Sequence, residues 1–294
     1  MAHQSPNAIG FCVDGSYIDF VPAAIESIVR HWQHRSPLPR FDILVDTLPS
    51  KHISELLNSI VPGGYATHVI DATVFSDLKE VTHISRGMYY RLLLAEICRS
   101  RRILYLDCDV LVRRDISQLF ELDLGGNIIG AVVNPFYNTQ VIGLDPQQLY
   151  FNSGVLLIDR DAWNQANVSQ RTLDFLRGNN EFLVMPDQDA LNFVLNGQWR
   201  ELDPAFNCQI SMFLRHGDLE AELADRWRLD FLDDPAIVHF SSSHKQWHPT
   251  TRLRYAAEYK RLSTHVMRAR KGALRDAATS IWRKFKFARN PYFS

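Results

Sequence analysis

The apolar run Ile103-Leu104-Tyr105-Leu106 ends in Asp107-Cys108-Asp109 and resumes as Val110-Leu111-Val112. Side chains on a strand alternate faces, so Asp107 and Asp109 share one face and Cys108 takes the other. Unpaired buried carboxylates are costly, and in an open α/β sheet ligands bind at the carboxyl ends of the strands. The pattern therefore calls for a fold in which a buried strand emerges where two carboxylates find a partner. A divalent cation that bridges to a phosphate is one such partner. The plainer alternative is a pair of aspartates capping a helix and a turn.

Strand-like and helix-like patterns alternate ahead of this run. Residues 8–13 read as a short buried strand, followed by the polar turn Asp14-Gly15-Ser16 and a helix from about Pro22. In that helix Ala24, Ile25, Ile28, Val29 and Trp32 keep helical spacing. Residues 41–45 are a second strand, 50–60 a second helix with Ser50 as its cap, and 68–70 a third strand. A helix over 88–97 feeds the Asp107 strand. Later strands fall at 128–133, 154–158 and 237–240, and helices near 168–176 and 188–195. This order predicts an α/β fold with a mostly parallel, Rossmann-like central sheet flanked by helices. With 294 residues, 46% of them hydrophobic, the chain is long enough for one large core of that kind.

Several function classes drop out. No Gly-x-Gly-x-x-Gly follows the first strand and no Gly-Lys-Ser/Thr occurs, so neither the dinucleotide fingerprint nor the P-loop is supported. Cys12, Cys98, Cys108 and Cys208 are scattered, which argues against a zinc site or a disulfide framework and fits a reducing cytoplasm. A polar N-terminus and the lack of any long apolar stretch predict neither a secretion signal nor a membrane span. The net charge of −1 conceals an asymmetry, because residues 251–294 carry 12 Lys+Arg against 2 Asp+Glu while the remainder carries 20 against 31. A basic tail on an acidic body predicts an anionic surface as partner, and the acidic body makes nucleic acid the weaker choice.

Further candidates surround the Asp107 strand. His239 ends the apolar strand Ala236-Ile237-Val238, a position akin to that of Asp107, and a histidine ligand would tilt the metal choice from Mg²⁺ toward Mn²⁺. His244, Lys245, Trp247 and His248 follow, and Lys245 has the charge to neutralise a leaving phosphate. In Pro186-Asp187-Gln188-Asp189 the acids open an apolar helical pattern, which is ordinary first-turn chemistry taken alone. Asn152 and Gly154 form either a turn into the strand over 155–158 or an approach of a polar amide to a ligand. Arg91, on an otherwise apolar stretch, either snorkels or grips a phosphate or a metal-site carboxylate.

In order along the chain, these segments resemble glycosyltransferase family eight, which includes the bacterial lipopolysaccharide galactosyl- and glucosyltransferases. The resemblance runs from Phe11-Cys12-Val13-Asp14 through His83-Ile84-Ser85, Tyr90-Arg91-Leu92, Asp107-Cys108-Asp109, Tyr150-Phe151-Asn152-Ser153-Gly154 and Asp187-Gln188-Asp189 to His239 and Lys245-Gln246-Trp247-His248. It implies a GT-A type fold over residues 1–250 and a retaining transfer of galactose or glucose from UDP-galactose or UDP-glucose to a saccharide or glycolipid acceptor. It further implies that Asp107, Asp109 and His239 hold Mn²⁺, with Asp107 also facing the donor diphosphate. Asp14 and Ser16 fall in the uridine-binding segment, Arg91 and Asp187 on the donor sugar, and Lys245 on the diphosphate. Asn152 meets the acceptor or donor sugar, and Gln188 lies nearest the reacting carbon. An amide is a poor nucleophile, so a front-face displacement follows. Gly15 and Ser16, Asn134, Ser242 and Gln246 depart from the usual pattern and leave donor and acceptor identity open.

In the tail, Leu274, Ala278, Ile281, Trp282 and Phe285 fall on one helical face among Lys271, Arg275, Arg283, Lys284 and Lys286. Residues 251–294 are thus expected to form a basic helical segment on an anionic membrane surface, the inner face of the cytoplasmic membrane. Relatives of this kind are described as peripheral membrane proteins through a similar tail. A helix docked on the body is the alternative. Two other readings of the whole chain stand beside the transferase: a haloacid-dehalogenase-like phosphatase with Asp107 as nucleophile, and a nucleotide-sugar-binding membrane protein without turnover.

Overall fold

The computed structural model describes residues 7–33, 37–79, 85–137, 139–179, 181–215, 217–218 and 229–268. The chain opens with β1 (Asn7–Cys12), α1 (Val21–His31), β2 (Arg40–Val45), α2 (Lys51–Ile60) and β3 (Tyr65–Val69). β1 and β2 are almost wholly buried, as expected of strands covered on both faces. Ser50 caps α2 as expected, its side chain accepting from the Ile53 N–H at 3.3 Å. β3 starts three residues earlier than the apolar pattern places it, because its half-exposed Tyr65, Ala66 and Thr67 lack a buried face to read. The stretch read as one helix over 88–97 is a 3₁₀ run, Arg86–Leu93, leading into one turn of helix, α3 (Leu94–Ile97). Its apolar spacing is legible as helical, and the run passes close to the first turn: a Cβ on Gly87 would come within 2.8 Å of the Asp14 backbone nitrogen.

β4 (Arg102–Leu106) then enters the centre of the sheet, and the chain turns at Asp107-Cys108-Asp109 into β5 (Val110–Val112). This corrects the reading of one continuous strand. β5 belongs to a second, three-stranded sheet, so the two aspartates sit on a turn between sheets rather than two apart on one face. They still converge, because both sheets are pinned nearby: the Asp107 N–H donates to the Gly154 carbonyl at 2.9 Å and the Phe240 N–H to the Asp109 carbonyl at 3.0 Å.

The remaining elements are β6 (Ile129–Val133), β7 (Phe151–Asp159), α4 (Arg160–Gln165), α5 (Val168–Asn179), α6 (Pro186–Val194), β8 (Trp199–Glu201), β9 (Cys208–Gln209), α7 (Ile210–Leu214), β10 (Ile237–His239) and α8 (Ala256–Arg268). The large sheet runs β3-β2-β1-β4-β7-β6-β8 and the small one β5-β10-β9. The large sheet is mostly parallel, but β7 lies antiparallel to both β4 and β6. Strand-helix alternation breaks down after β5, and among the described residues the connection from β6 to β7 holds a short 3₁₀ turn, Thr139–Ile142, and no α-helical crossover that a parallel pair would need. Alternate residues feed the two faces: Ile9, Phe11, Ile43, Leu104 and Leu106 join one apolar cluster, while Ala8, Cys12, Leu44, Ile103 and Tyr105 join the other. β7 begins at Phe151, so Asn152 and Gly154 lie inside a strand and not in a turn leading to it.

α8 covers the back of the small sheet, where Ala256, Tyr259 and Leu262 pack with Leu111, Val238 and Phe240. The packed body thus extends to residue 268, past the start of the basic segment at 251. The helical face expected around Trp282 and the motif residues His83 and Ile84 lie outside the described residues. Among the described residues, no helix is long and apolar enough to cross a membrane.

Candidate active site

The turn between β4 and β5 meets the end of β10. His239 pairs with Val110 across the small sheet, which places it beside Asp109. Its Nε2 lies 3.3 Å from Asp109 Oδ1 and 3.5 Å from Asp107 Oδ2. One donor atom from each of the three residues falls within 4.8 Å of the others. Asp109 Oδ1 is buried and has no hydrogen-bond donor. An orphaned, buried carboxylate oxygen facing an imidazole and a second carboxylate fits a divalent cation of the Mg²⁺ or Mn²⁺ type. A Cβ at position 154 would sit 2.2 Å from His239 Cε1 and 2.7 Å from Asp107 Oδ2, so β7 approaches the three ligands only because Gly154 has no side chain.

The charges around these groups are tightly ordered. Lys245 Nζ donates to Asp109 Oδ2 and, at 3.1 Å, to the Phe240 carbonyl. Burial alone would raise the Asp109 carboxyl, but the Lys245 ammonium and His239 outweigh it and hold it below the usual carboxylate range. The loop that carries Lys245 is anchored by Trp247, whose ring stacks on Phe20 with centroids 3.7 Å apart. Arg91 is 5% exposed and does not snorkel. Its Nη2 donates to Asp107 Oδ1 at 3.0 Å, its Nη1 to the Ser153 carbonyl at 2.7 Å, and its Nε lies 3.3 Å from Asp187 Oδ2. Tyr105, under the guanidinium, donates its hydroxyl to Asp107 Oδ1.

Asp187 is buried at the start of α6, and burial pushes its carboxyl up from 3.8 to about 6 even though Arg91 pulls the other way; the Asp107 charge adds to the rise. Gln188 is also buried; its Oε1 accepts from Asn152 Nδ2 and from the Ser153 N–H, both at 3.0 Å, and its Nε2 donates to the Tyr150 hydroxyl at 3.1 Å. Asp189 proves structural. Its oxygens accept from the Val184 and Met185 N–H groups and from the Tyr137 and Tyr150 hydroxyls.

Asp107, Asp109, His239, Lys245, Arg91, Asp187, Gln188 and Asn152 all line one cleft of about 330 Å³. Asp14 and Ser16 form a turn beside it, Asp14 Oδ1 accepting from the Ser16 N–H at 2.8 Å, and their neighbours Val13 and Tyr17 provide the lining there. Sequence reasoning missed Asn207, Tyr105 and Ser153. Asn207 is wholly buried in a 3₁₀ turn far along the chain, and no local spacing ties it to His239.

Residues 8–251 match the family described as Glycosyl transferase family 8. The chain belongs to glycosyltransferase family 8. Similar proteins include General stress protein A of Bacillus subtilis (strain 168), 32% identical over 197 residues that span 65% of this chain and 69% of that protein. Lipopolysaccharide 1,2-glucosyltransferase of Escherichia coli (strain K12) is 28% identical over 249 residues, 82% of this chain and 72% of that protein. Among solved structures, the galactosyltransferase LgtC in complex with donor and acceptor sugar analogues superposes with a TM-score of 0.78 at 25% identity, covering 88% of this chain and 95% of that one. The two-sheet architecture is accordingly the GT-A fold of family 8, and the cleft lies where the strands of its central sheet end. Family membership sets aside the phosphatase reading, since the aspartate turn is here part of a glycosyltransferase.

Proposed function

We propose that this family 8 protein is a retaining hexosyltransferase that moves galactose or glucose from a UDP-sugar to a saccharide or glycolipid acceptor, lipopolysaccharide or another cell-surface glycan. The observation that carries this reading is the convergence in one cleft of the Asp107, Asp109 and His239 donors, the Lys245 ammonium and the Arg91–Asp187 pair. The names of the Escherichia coli relative and of the LgtC structure support the same substrate class. Mn²⁺, with Mg²⁺ as the alternative, is the cation the three donors would hold. When bound, it supplies Lewis-acid stabilisation for charge growing on the leaving diphosphate.

The chain's own residues account for the rest. Lys245 contributes a second positive charge to the diphosphate, and Arg91 locks Asp107 and Asp187 in place so that both keep their orientation. Asp187 and Arg91 bind the donor sugar, Asn152 contacts donor or acceptor sugar, and the turn at Asp14 and Ser16 takes the uridine. Gln188 offers no nucleophile, because its amide oxygen already accepts two hydrogen bonds. The acceptor hydroxyl therefore attacks on the face from which UDP departs: its oxygen bonds the anomeric carbon, the bond to the phosphate oxygen breaks, and the hydroxyl proton passes to the departing diphosphate. The basic segment from residue 251 holds the enzyme to the cytoplasmic face of an anionic membrane, where a lipid-linked acceptor is found.

The test is release of UDP from a panel of UDP-sugars with Mn²⁺, with and without saccharide acceptors. Asp107→Asn and Asp109→Asn should each lower metal-dependent turnover by about 100-fold or more while leaving the fold intact, as read by circular dichroism. Full activity in either variant would refute the metal assignment, and failure to bind UDP in the presence of Mn²⁺ would refute the donor.

A further inference from the structure

The register of β7 against β6 shifts beside Ala131 and Val132, and at this irregularity two β7 backbone N–H groups bond to side chains instead of a neighbouring strand. The Ser153 N–H donates to Gln188 Oε1 and the Gly154 N–H to Asn152 Oδ1, both at 3.0 Å. A backbone N–H only donates, so each contact identifies its partner as the amide oxygen and fixes which way the amide faces. The polarity then propagates. Asn152 turns its Nδ2 to Gln188 Oε1 at 3.0 Å and its Oδ1 to Asn207 Nδ2 at 2.9 Å. Asn207 is left with only its oxygen for His239, whose Nδ1 lies 2.9 Å away. An oxygen only accepts, so Nδ1 must carry a proton.

We infer that the β7 backbone, acting through Asn152 and Asn207, selects the protonation site of His239: Nδ1 keeps its hydrogen and Nε2 is the nitrogen that yields its lone pair to a cation. The inference rests on the reading that Asp107, Asp109 and His239 hold a divalent metal. In the opposite tautomer an Nε2–H would point at the carboxylate oxygens, and the Nδ1 lone pair would oppose the Asn207 oxygen. Asn207 and Asn152 are thus positioning residues. Asn207 orients a ligand, and Asn152 ties the same chain of amides to Gln188. Groups that orient a ligating imidazole in this way typically contribute about 10- to 100-fold in metal affinity.

The decisive measurement is the nitrogen-15 NMR spectrum of the imidazoles in the full, metal-free chain at mildly alkaline pH, with His239 assigned by its loss in His239→Gln. The expected result is a neutral ring protonated at Nδ1. A ring protonated at Nε2 would overturn the inference without any further variant. Asn207→Leu should abolish the preference and weaken Mn²⁺ binding, read by calorimetry, by about 10- to 100-fold. Asn207→Asp, which still accepts from Nδ1–H but sets a carboxylate oxygen against Asn152 Oδ1, should keep the Nδ1 proton. Asn152→Asp keeps the acceptor for Asn207 but sets a carboxylate oxygen against Gln188 Oε1, so the His239 tautomer should persist while UDP release falls. Mn²⁺ affinity of Asn207→Leu within twofold of the parent protein would refute the positioning role. If the parent protein binds no Mn²⁺, the metal reading fails, while the tautomer still decides this inference.

Discussion

Asp187 shows how a single side chain trades stability for a charged site. Its carboxyl titrates near 6 in the folded protein against an ordinary 3.8, because burial outweighs the attraction of Arg91. Between those values the folded chain holds a proton that the unfolded chain has released, so stability falls as pH rises from about 4 to 6 and stays low above that. The two-unit difference corresponds to about 3 kcal/mol. Asp187→Asn should therefore gain stability relative to the parent protein as pH goes from 4 to 7, by up to that amount, as urea unfolding at the two pH values would read. An unchanged difference would show that ionised Asp187 is fully compensated. At this scale the sequence singled out Arg91, Asp107, Asp109, Asp187, His239 and Lys245, and the fold brings all six into one cleft. It was silent about Asn207, because an asparagine in a turn has no periodicity or spacing that points to a histidine 32 positions away.

Among the elements, α8 buttresses the site from behind. It covers the small sheet whose β5 continues from the aspartate turn and whose β10 ends in His239. Leu262, 7% exposed, fills that layer without lining the cleft. Leu262→Ala should cost about 2–5 kcal/mol through the cavity it leaves, measured by urea unfolding, with UDP release retained at temperatures where the protein stays folded. A loss below 0.5 kcal/mol, on the order of an ordinary surface change, would mean that α8 does not support the sheet. Buried strands and capped helices were legible from local pattern: β1 and β4 are apolar after their first residue, β2 is apolar apart from Arg40 and Asp42, and Ser50 announces α2. The 3₁₀ run over Arg86–Leu93 and the irregularity in β7 were not; each lies where a glycine lets distant segments meet, Gly87 against the Asp14 turn and Gly154 against His239.

For the whole molecule, the charge split is the feature that reaches beyond the catalytic body. The segment from residue 251 carries 12 of the 32 basic residues, yet its first part is committed to packing, with Ala256, Tyr259 and Leu262 buried. Residues 269–294, on the C-terminal side of α8, carry seven of those twelve basic residues. Deleting them should weaken binding to anionic vesicles, read by co-sedimentation at low and high salt, while sparing UDP release. Unchanged vesicle binding would remove the membrane role of the tail. The sequence by itself determined the α/β class, the order of the site residues and the acidic body with its basic tail, because apolar periodicity and charge are properties of neighbouring residues. Only the tertiary structure decided that the aspartates sit on a turn between two sheets, that β7 runs antiparallel through the core, and that Asn152 and Asn207 join Gln188 to His239. Those facts depend on strand pairing and on hydrogen-bond polarity between residues far apart in the chain, and no local pattern encodes them.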